Sequence, residues 1–270
     1  MPNLISALAP TLVSNINSVQ KGIVDTQTQL ASGTKNLNAA EVGIVTRLSA
    51  QAAGYKSVTQ NITAGINVIN VASTALNSIS TILSQAKDIA TQAANAGLQT
   101  SDRTALNTTF TQLLAQVTSL IANAGVNGEN VLSPTGSNLT VQSGITGGVA
   151  SQTTITNLAI DFSATSLDLT GQVVGTQTAA QTAIDKLTAA LTKVSTYQST
   201  LSATKTGLDA SAAAALSLST NLQSTVDSIQ NIDQVALQAK LQQLNNQQSI
   251  DYYLISQMNT AAQSALTIFR

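Results

Sequence analysis

Asp161 and Asp168 lie in a Ser- and Thr-rich stretch, and two carboxylates among hydroxyls could hold a Ca²⁺ ion. Their spacing matches no EF-type loop, which places its oxygen ligands at fixed alternate positions over twelve residues. Solvated strand edges account for them better. Tyr55, Tyr252 and Tyr253 could form a binding patch. The favoured reading packs them at helix contacts with their hydroxyls at a wet edge. Asn107-Thr108-Thr109 fits the N-linked acceptor pattern, but it falls inside a helical stretch. The hydroxyls of 133–178 are open to O-linked sugars wherever they are exposed. The chain has no His and no Cys. That removes imidazole bases, thiol nucleophiles, disulfides and nearly every transition-metal site. A zinc-protease helix needs two histidines, and no convergent pair of carboxylates is visible for acid–base work. No catalytic residue, cofactor or metal is expected.

The composition points away from chemistry and toward association. Charged residues are 9% of the 270, against roughly 25% in an average soluble domain. Aromatics are 3% and Trp is absent, so the core is built from Ala, Leu, Ile and Val. A surface of Ser, Thr, Asn and Gln repels its own copies little, and interface cores are likewise poor in Lys, Glu and Asp. Net charge is −1 with scattered Lys and Arg, so no electrostatic footprint for nucleic acid appears. No polybasic membrane-surface segment appears either. The first twenty residues have no basic n-region and no unbroken apolar core, so a cleaved Sec signal is not expected. No run of about 18 apolar residues predicts membrane insertion.

The elements that carry this composition are mostly helices. Ile5, Leu8, Leu12, Ile16, Val19 and Ile23 follow steps of three and four, one face of a helix. Pro10 predicts a kink or restart within it, and Gly33 a turn after it. A second, long stripe runs from Ile44 through Ile62, Ile69 and Leu76 to Ala90. Ser101 or Asp102 is placed to cap a third helix carrying Leu106, Phe110, Leu113, Val117 and Leu120. Asn127-Gly128 is a strong turn signal. The period then changes, and 139–141, 153–156 and 167–170 read as short strands. Leu187, Val194, Leu201, Leu208, Ala215, Leu222 and Ile229 recur at steps of seven. They predict a helix about 70 Å long at roughly 1.5 Å per residue. Gln198, Lys205 and Ser219 interrupt its complementary seam. A last stripe holds Leu241, Leu244, Ile250, Leu254, Met258 and Ile268. The expected fold is mainly α: a long antiparallel helical rod or coiled coil, terminal helices paired, and a small β-hairpin insert near one end. The two termini carry regular apolar stripes and almost no charge, so they need each other or other copies of the chain.

Both ends resemble bacterial flagellin. Gln29-Leu30-Ala31-Ser32-Gly33 is similar to the family's R-L-S-S-G turn, and 61–72 to its N-x-x-x-G-I-x-x-x-Q-x-A helix. Residues 86–95 are similar to R-E-L-A-x-Q-A-x-N, and Asn127-Gly128-Glu129-Asn130-Val131-Leu132 to N-G-x-x-L-L. Ile232-Asp233 and Leu266-Thr267-Ile268-Phe269-Arg270 resemble the I-x-D and L-L-R features of its C-terminal end.

The resemblance implies a self-assembling, exported filament subunit, extracellular and without a cleaved Sec signal. Residues 1–40 with 233–270 would form an inner terminal-helix domain. Residues 41–232 would form a rod domain, with a small β element at 133–178. Leu8, Leu12, Ile16, Val19, Leu241, Leu244, Leu254, Met258 and Ile268 are the expected self-assembly residues. The partners implied are further copies of the chain, the flagellar export apparatus and chaperone, and filament cap and junction proteins. With about forty-five residues in the middle, no outer domain is expected and the filament should be thin and smooth. Gln234, Gln238, Gln242, Gln243, Gln247, Gln248 and Gln257 would pair laterally or line a hydrated channel, unless they are merely a polar exposed face.

The sequence also departs from the family. The usual D-D-A-A-G is Ala39-Ala40-Glu41-Val42-Gly43, and the first-turn Arg is Gln29. Gln85 stands where Arg is common, and Asp88 where Glu is. In members read by animal innate receptors this patch, here Gln85, Asp88 and Gln92, is the contact surface, so weak recognition is expected. A hook–filament junction protein is the alternative function, and a secreted coiled-coil adhesin or translocator a more distant one.

Overall fold

A computed structural model describes the backbone of residues 2–268 and the side chains of residues 10–264 and 267. Five helices dominate: α1 (Pro2–Ser32), α2 (Ala39–Ala93), α3 (Thr100–Asn123), α4 (Gln177–Gln230) and α5 (Gln234–Ile268). Between α3 and α4 lies a two-stranded antiparallel hairpin, β1 (Leu139–Gln142) with β2 (Gln152–Ile155), in the register Leu139↔Ile155. The chain divides into two compact units. The first holds 1–50 and 221–270, and the second 51–220.

The second unit is organised by two heptad tracks on α2. Val58, Gly65, Ala72, Ile79, Ala86 and Ala93 form one, Ile62, Ile69, Leu76, Leu83 and Ala90 the other, and all are buried. Ala180, Leu187, Val194, Leu201, Leu208 and Ala215 answer them from α4 and are buried as well. Seam side chains tie the two helices together, since Gln198 Nε2 donates to Asn77 Oδ1 at 2.8 Å and Ser219 Oγ to the Ala52 carbonyl at 2.9 Å. The pairing of 52 with 219 and of 77 with 198 makes α2 and α4 antiparallel. Two of the three polar interruptions in the seam are therefore interhelical bonds. The third, Lys205, pairs along its own helix with Asp209. An 18-residue window of α2 is apolar enough by length and hydropathy to cross a membrane. Its apolar residues nevertheless fall on the buried tracks, while Asn61, Asn67, Asn70 and Asn77 stay exposed. This is the pattern of a core helix.

α3 supplies a third layer through Phe110, Leu114, Val117 and Ile121. It begins at Thr100 with Gln99 as N-cap and no side-chain cap bond, so neither Ser101 nor Asp102 caps it. Arg103 instead reaches back, donating to the carbonyls of Ala93 and Asn95 at 2.9 and 2.8 Å, and closes the α2–α3 turn. Beyond the end of α3 the hairpin takes over as cover for α2. Its approach depends on Gly65, where a Cβ would lie 2.6 Å from Val141 Cγ2. Its tip reaches Gly54, near the 52–219 end of the unit, where Ile145 Cγ2 would lie 3.1 Å from an added Cβ.

The sequence pattern at 167–170 suggested a third strand, but the segment is a turn. Leu167 and Leu169 are both buried, which reproduces strand-like alternation, yet their N–H groups bond Asp161 and Phe162 within the same loop. Asp168 between them sits at φ 58°, left-handed geometry that no strand contains. The Asn127-Gly128 turn forms as expected, with φ 54° and 87° and reciprocal Val126–Glu129 backbone bonds. Two positive φ angles in succession are what a two-residue type I′ turn needs. Asn130 then locks the loop: its amide donates to Ile121 O at 2.8 Å, and its oxygen accepts from the Leu132 and Ser133 N–H groups.

The first unit is built on α1 and α5, which run antiparallel. Gln20 Nε2 donates to the Tyr252 hydroxyl at 3.2 Å, and Thr34 bridges Asn231 at the other end. α1 is one helical element through Pro10, so the expected restart does not occur. It ends at Gly33, φ 69°. α2 starts with a reciprocal capping box, in which Asn38 Oδ1 accepts from the Glu41 N–H and Glu41 Oε2 from the Asn38 N–H, both at 2.9 Å. Asp233 caps α5 by accepting from the Ala236 N–H at 2.9 Å.

Candidate assembly site

The expected self-assembly residues fall into four groups. Leu12, Ile16 and Val19 are buried in the first unit, in the helix pair α1–α5. Leu241, Leu244 and Met258 are half-buried, with the Leu244 methyls 3.3 and 3.4 Å from where a Cβ on Gly22 would lie. Leu254 faces outward at 44% exposure. The side chains of Leu8 and Ile268 lie outside the described residues. The structure thus brings the α1 stripe and part of the α5 stripe together and leaves Leu254 unused. Val13, Val24, Ile250, Tyr252 and Tyr253 also remain exposed on these two helices.

The amide residues of α5 are nearly all on the surface, with only Gln248 half-buried. Gln257 donates to the Tyr253 hydroxyl at 2.8 Å. Gln242, Gln243 and Gln247, with Ala239, Asn246 and Ile250, line an open groove of about 460 Å³. At the corner where α1 meets α2, Lys35 Nζ lies 2.6 Å from Glu41 Oε1. The Lys35 hydrogen bond, and after it the Asn38 N–H, hold the Glu41 carboxyl below its ordinary value of 4.5. The Lys35 N–H also donates to the Gln230 carbonyl at 2.8 Å. Sequence reasoning singled out Glu41 only as a departure from a family motif. The Asn-x-x-Glu spacing before an apolar run was the available signal for its capping role.

Gln85, Asp88 and Gln92 are all exposed on α2 at steps of three and four, so they share one face. Asp161 and Asp168 do not converge on a common site. Asp161 accepts from Ser163, Asp168 pairs with Lys186, and no metal-binding cluster of three such groups exists among the described residues. Tyr55 packs against the core. Asn107 Oδ1 accepts from the Val174 N–H at 2.7 Å, so its amide holds the loop before α4. Asp251 is 7% exposed, and its Oδ2 is the buried side-chain oxygen without a hydrogen-bond partner among the described residues. In the sequence it stands out only as the single charge between Lys240 and Arg270.

Paired terminal helices in one unit, and in the other a heptad bundle with a locked N-G turn after the third helix, are thus in place. Residues 5–137 match the bacterial flagellin N-terminal helical region. This is the N-terminal helical region of a flagellin-type chain, over just under half of the 270 residues. The chain is a structural, non-enzymatic protein, a subunit of the flagellar filament. Family membership implies homopolymeric assembly and a place in the extracellular filament. Among solved structures, Bacillus cereus flagellin is similar at 26% identity and a TM-score of 0.48, over 57% of this chain and 85% of that one. No curated protein matches the chain.

Proposed function

We propose that the paired termini are the polymerising module of this filament subunit. The observation that carries the reading is the unfinished burial of α1 and α5. They cover Leu12, Ile16 and Val19 yet expose Val13, Val24, Ile250, Tyr252, Tyr253 and Leu254. Exposed apolar residues of this density on two neighbouring helices mark an association surface. Isolated helix pairs with so little core are marginal in water. In the filament, copies bury the remaining stripe and offset the ordering entropy at that step. A heterologous, non-closing contact then propagates as a helix of subunits. Residues 1–40 with 233–270 are assigned to the inner tubular layer, and 41–232 to the shell around it. Export by the flagellar export apparatus with its chaperone, and contact with cap and junction proteins, complete the proposed partners. No membrane insertion is involved.

Electron microscopy of purified chain after salt-induced polymerisation, with and without filament seeds, tests this reading. Long thin tubes are expected. Monomers or short stubs, even with seeds, would move the assignment to a junction role. Gln85, Asp88 and Gln92 are proposed to make the chain a weak ligand for animal innate receptors that read flagellin rods. A dose–response equal to that of enteric flagellins would overturn that.

A further inference from the structure

We propose that Asp251 is an assembly contact, its carboxylate taking a lysine ammonium from a second copy of the chain. The inference rests on the filament reading above and names a residue pair within it. Asp251 is the lone charged side chain between Lys240 and Arg270, and α1 carries none before Lys21. It sits in the helix pair at 7% exposure, with Oδ2 unpartnered and no ion pair to any described cation. A carboxylate withdrawn from water without a donor is costly, and replacing such a group with an apolar one commonly stabilises a fold. Its presence therefore calls for a partner outside the isolated chain.

The position is suited to one. Gln247 and Leu254, four residues before and three after Asp251, are its neighbours on the helix surface, and both are exposed. Gln247 and Ile250 line the open groove along α5. Asp251 thus stands at the edge of the buried seam, one residue beyond Ile250 and one helical turn from Gln247 of the groove. The first unit holds the matching cations. Lys35 is committed to Glu41, whereas Lys21 and Lys240, on α1 and α5, are exposed and make no ion pair or hydrogen bond among the described residues. A second copy laying α1 or α5 along the groove brings one of these ammonium groups to Asp251. Ile250 in the groove and Leu254 beside Asp251, both exposed in the single chain, would close over the pair, exclude water and strengthen it.

Seeded polymerisation of the full chain is the test, with the critical concentration measured for the parent, Asp251→Leu, Asp251→Asn, Lys21→Met and Lys240→Met. Asp251→Leu is expected to raise amide protection of α1 and α5 in the monomer about tenfold. It should also raise the critical concentration about tenfold or more. Asp251→Asn should fall between parent and leucine, and one of the lysine variants, at an exposed position that leaves the monomer folded, should reproduce the loss. Asp251→Leu or Asp251→Asn polymerising at the parent's critical concentration would overturn the contact. Loss with both Asp251 variants but with neither lysine variant would overturn the ammonium as its partner. Failure of the parent itself to polymerise on seeds would instead sink the filament reading.

Discussion

The two compact units spend their apolar residues in opposite ways. Residues 51–220 bury thirty-four hydrophobic side chains and expose five large ones among the described residues. Among its described residues the terminal unit buries four, Leu12, Ile16, Val19 and Val226, and exposes nine large ones. One region has a closed core, and the other is, on the proposed reading, half of an interface. Stability in the first should depend on packing within the chain, and in the second on the concentration of other copies.

The largest effect should come from opening the closed core. Phe110 and Leu76 are fully buried, so Phe110→Ala should cost about 3–5 kcal/mol and Leu76→Ala about 2–5 kcal/mol in monomer unfolding. Ile16→Ala should instead shift monomer unfolding by less than about 1 kcal/mol, since its helix pair is marginal alone, while largely abolishing polymerisation. Equal losses of monomer stability in both units would break the contrast. A smaller effect is expected at Gly65, where a methyl would meet Val141 Cγ2 at 2.6 Å. Gly65→Ala should cost about 1–3 kcal/mol by overpacking, and thermal unfolding of the monomer measures it. An unchanged melting temperature would mean that the hairpin is not pressed on α2.

The smallest effect is at the α1–α2 corner. Glu41 is held below its ordinary 4.5 by Lys35 and Asn38. A carboxyl lowered in the folded state adds stability that is present above the unfolded value and lost as pH falls through the folded one. Amide exchange at Asn38 should therefore quicken only below the ordinary carboxylate range, and Glu41→Gln should flatten that dependence. The same acid response in Glu41→Gln would remove Glu41 from the account.

Much of this was legible in the residues. The steps of seven on α4, the two turns at Gly33 and Asn127-Gly128, and the change of period after 133 all correspond to what the structure contains. These signals are local or periodic, and each reports one physical requirement: a buried stripe, or a positive φ. What sequence reading missed depends on long-range partners. The 167–170 segment alternates because two leucines anchor a loop, and alternation alone cannot supply a neighbouring strand. Arg103 was invisible as the clamp on α2 because its acceptors are carbonyls eight and ten residues back. Pro10 sits within a continuous helix, although it removes one backbone donor from the ladder; its residue type alone predicts a break. The burial of Asp251 comes from the pairing of α1 with α5, which its own residue type does not reveal.

Hydrogen exchange followed by peptide on the monomer and on the assembled filament tests the central contrast most directly. Peptides from 51–220 should be protected in both states. Peptides from 10–32 and 234–264 should exchange quickly in the monomer and become protected only in the filament. Terminal peptides as protected in the monomer as those of the closed core would contradict the account.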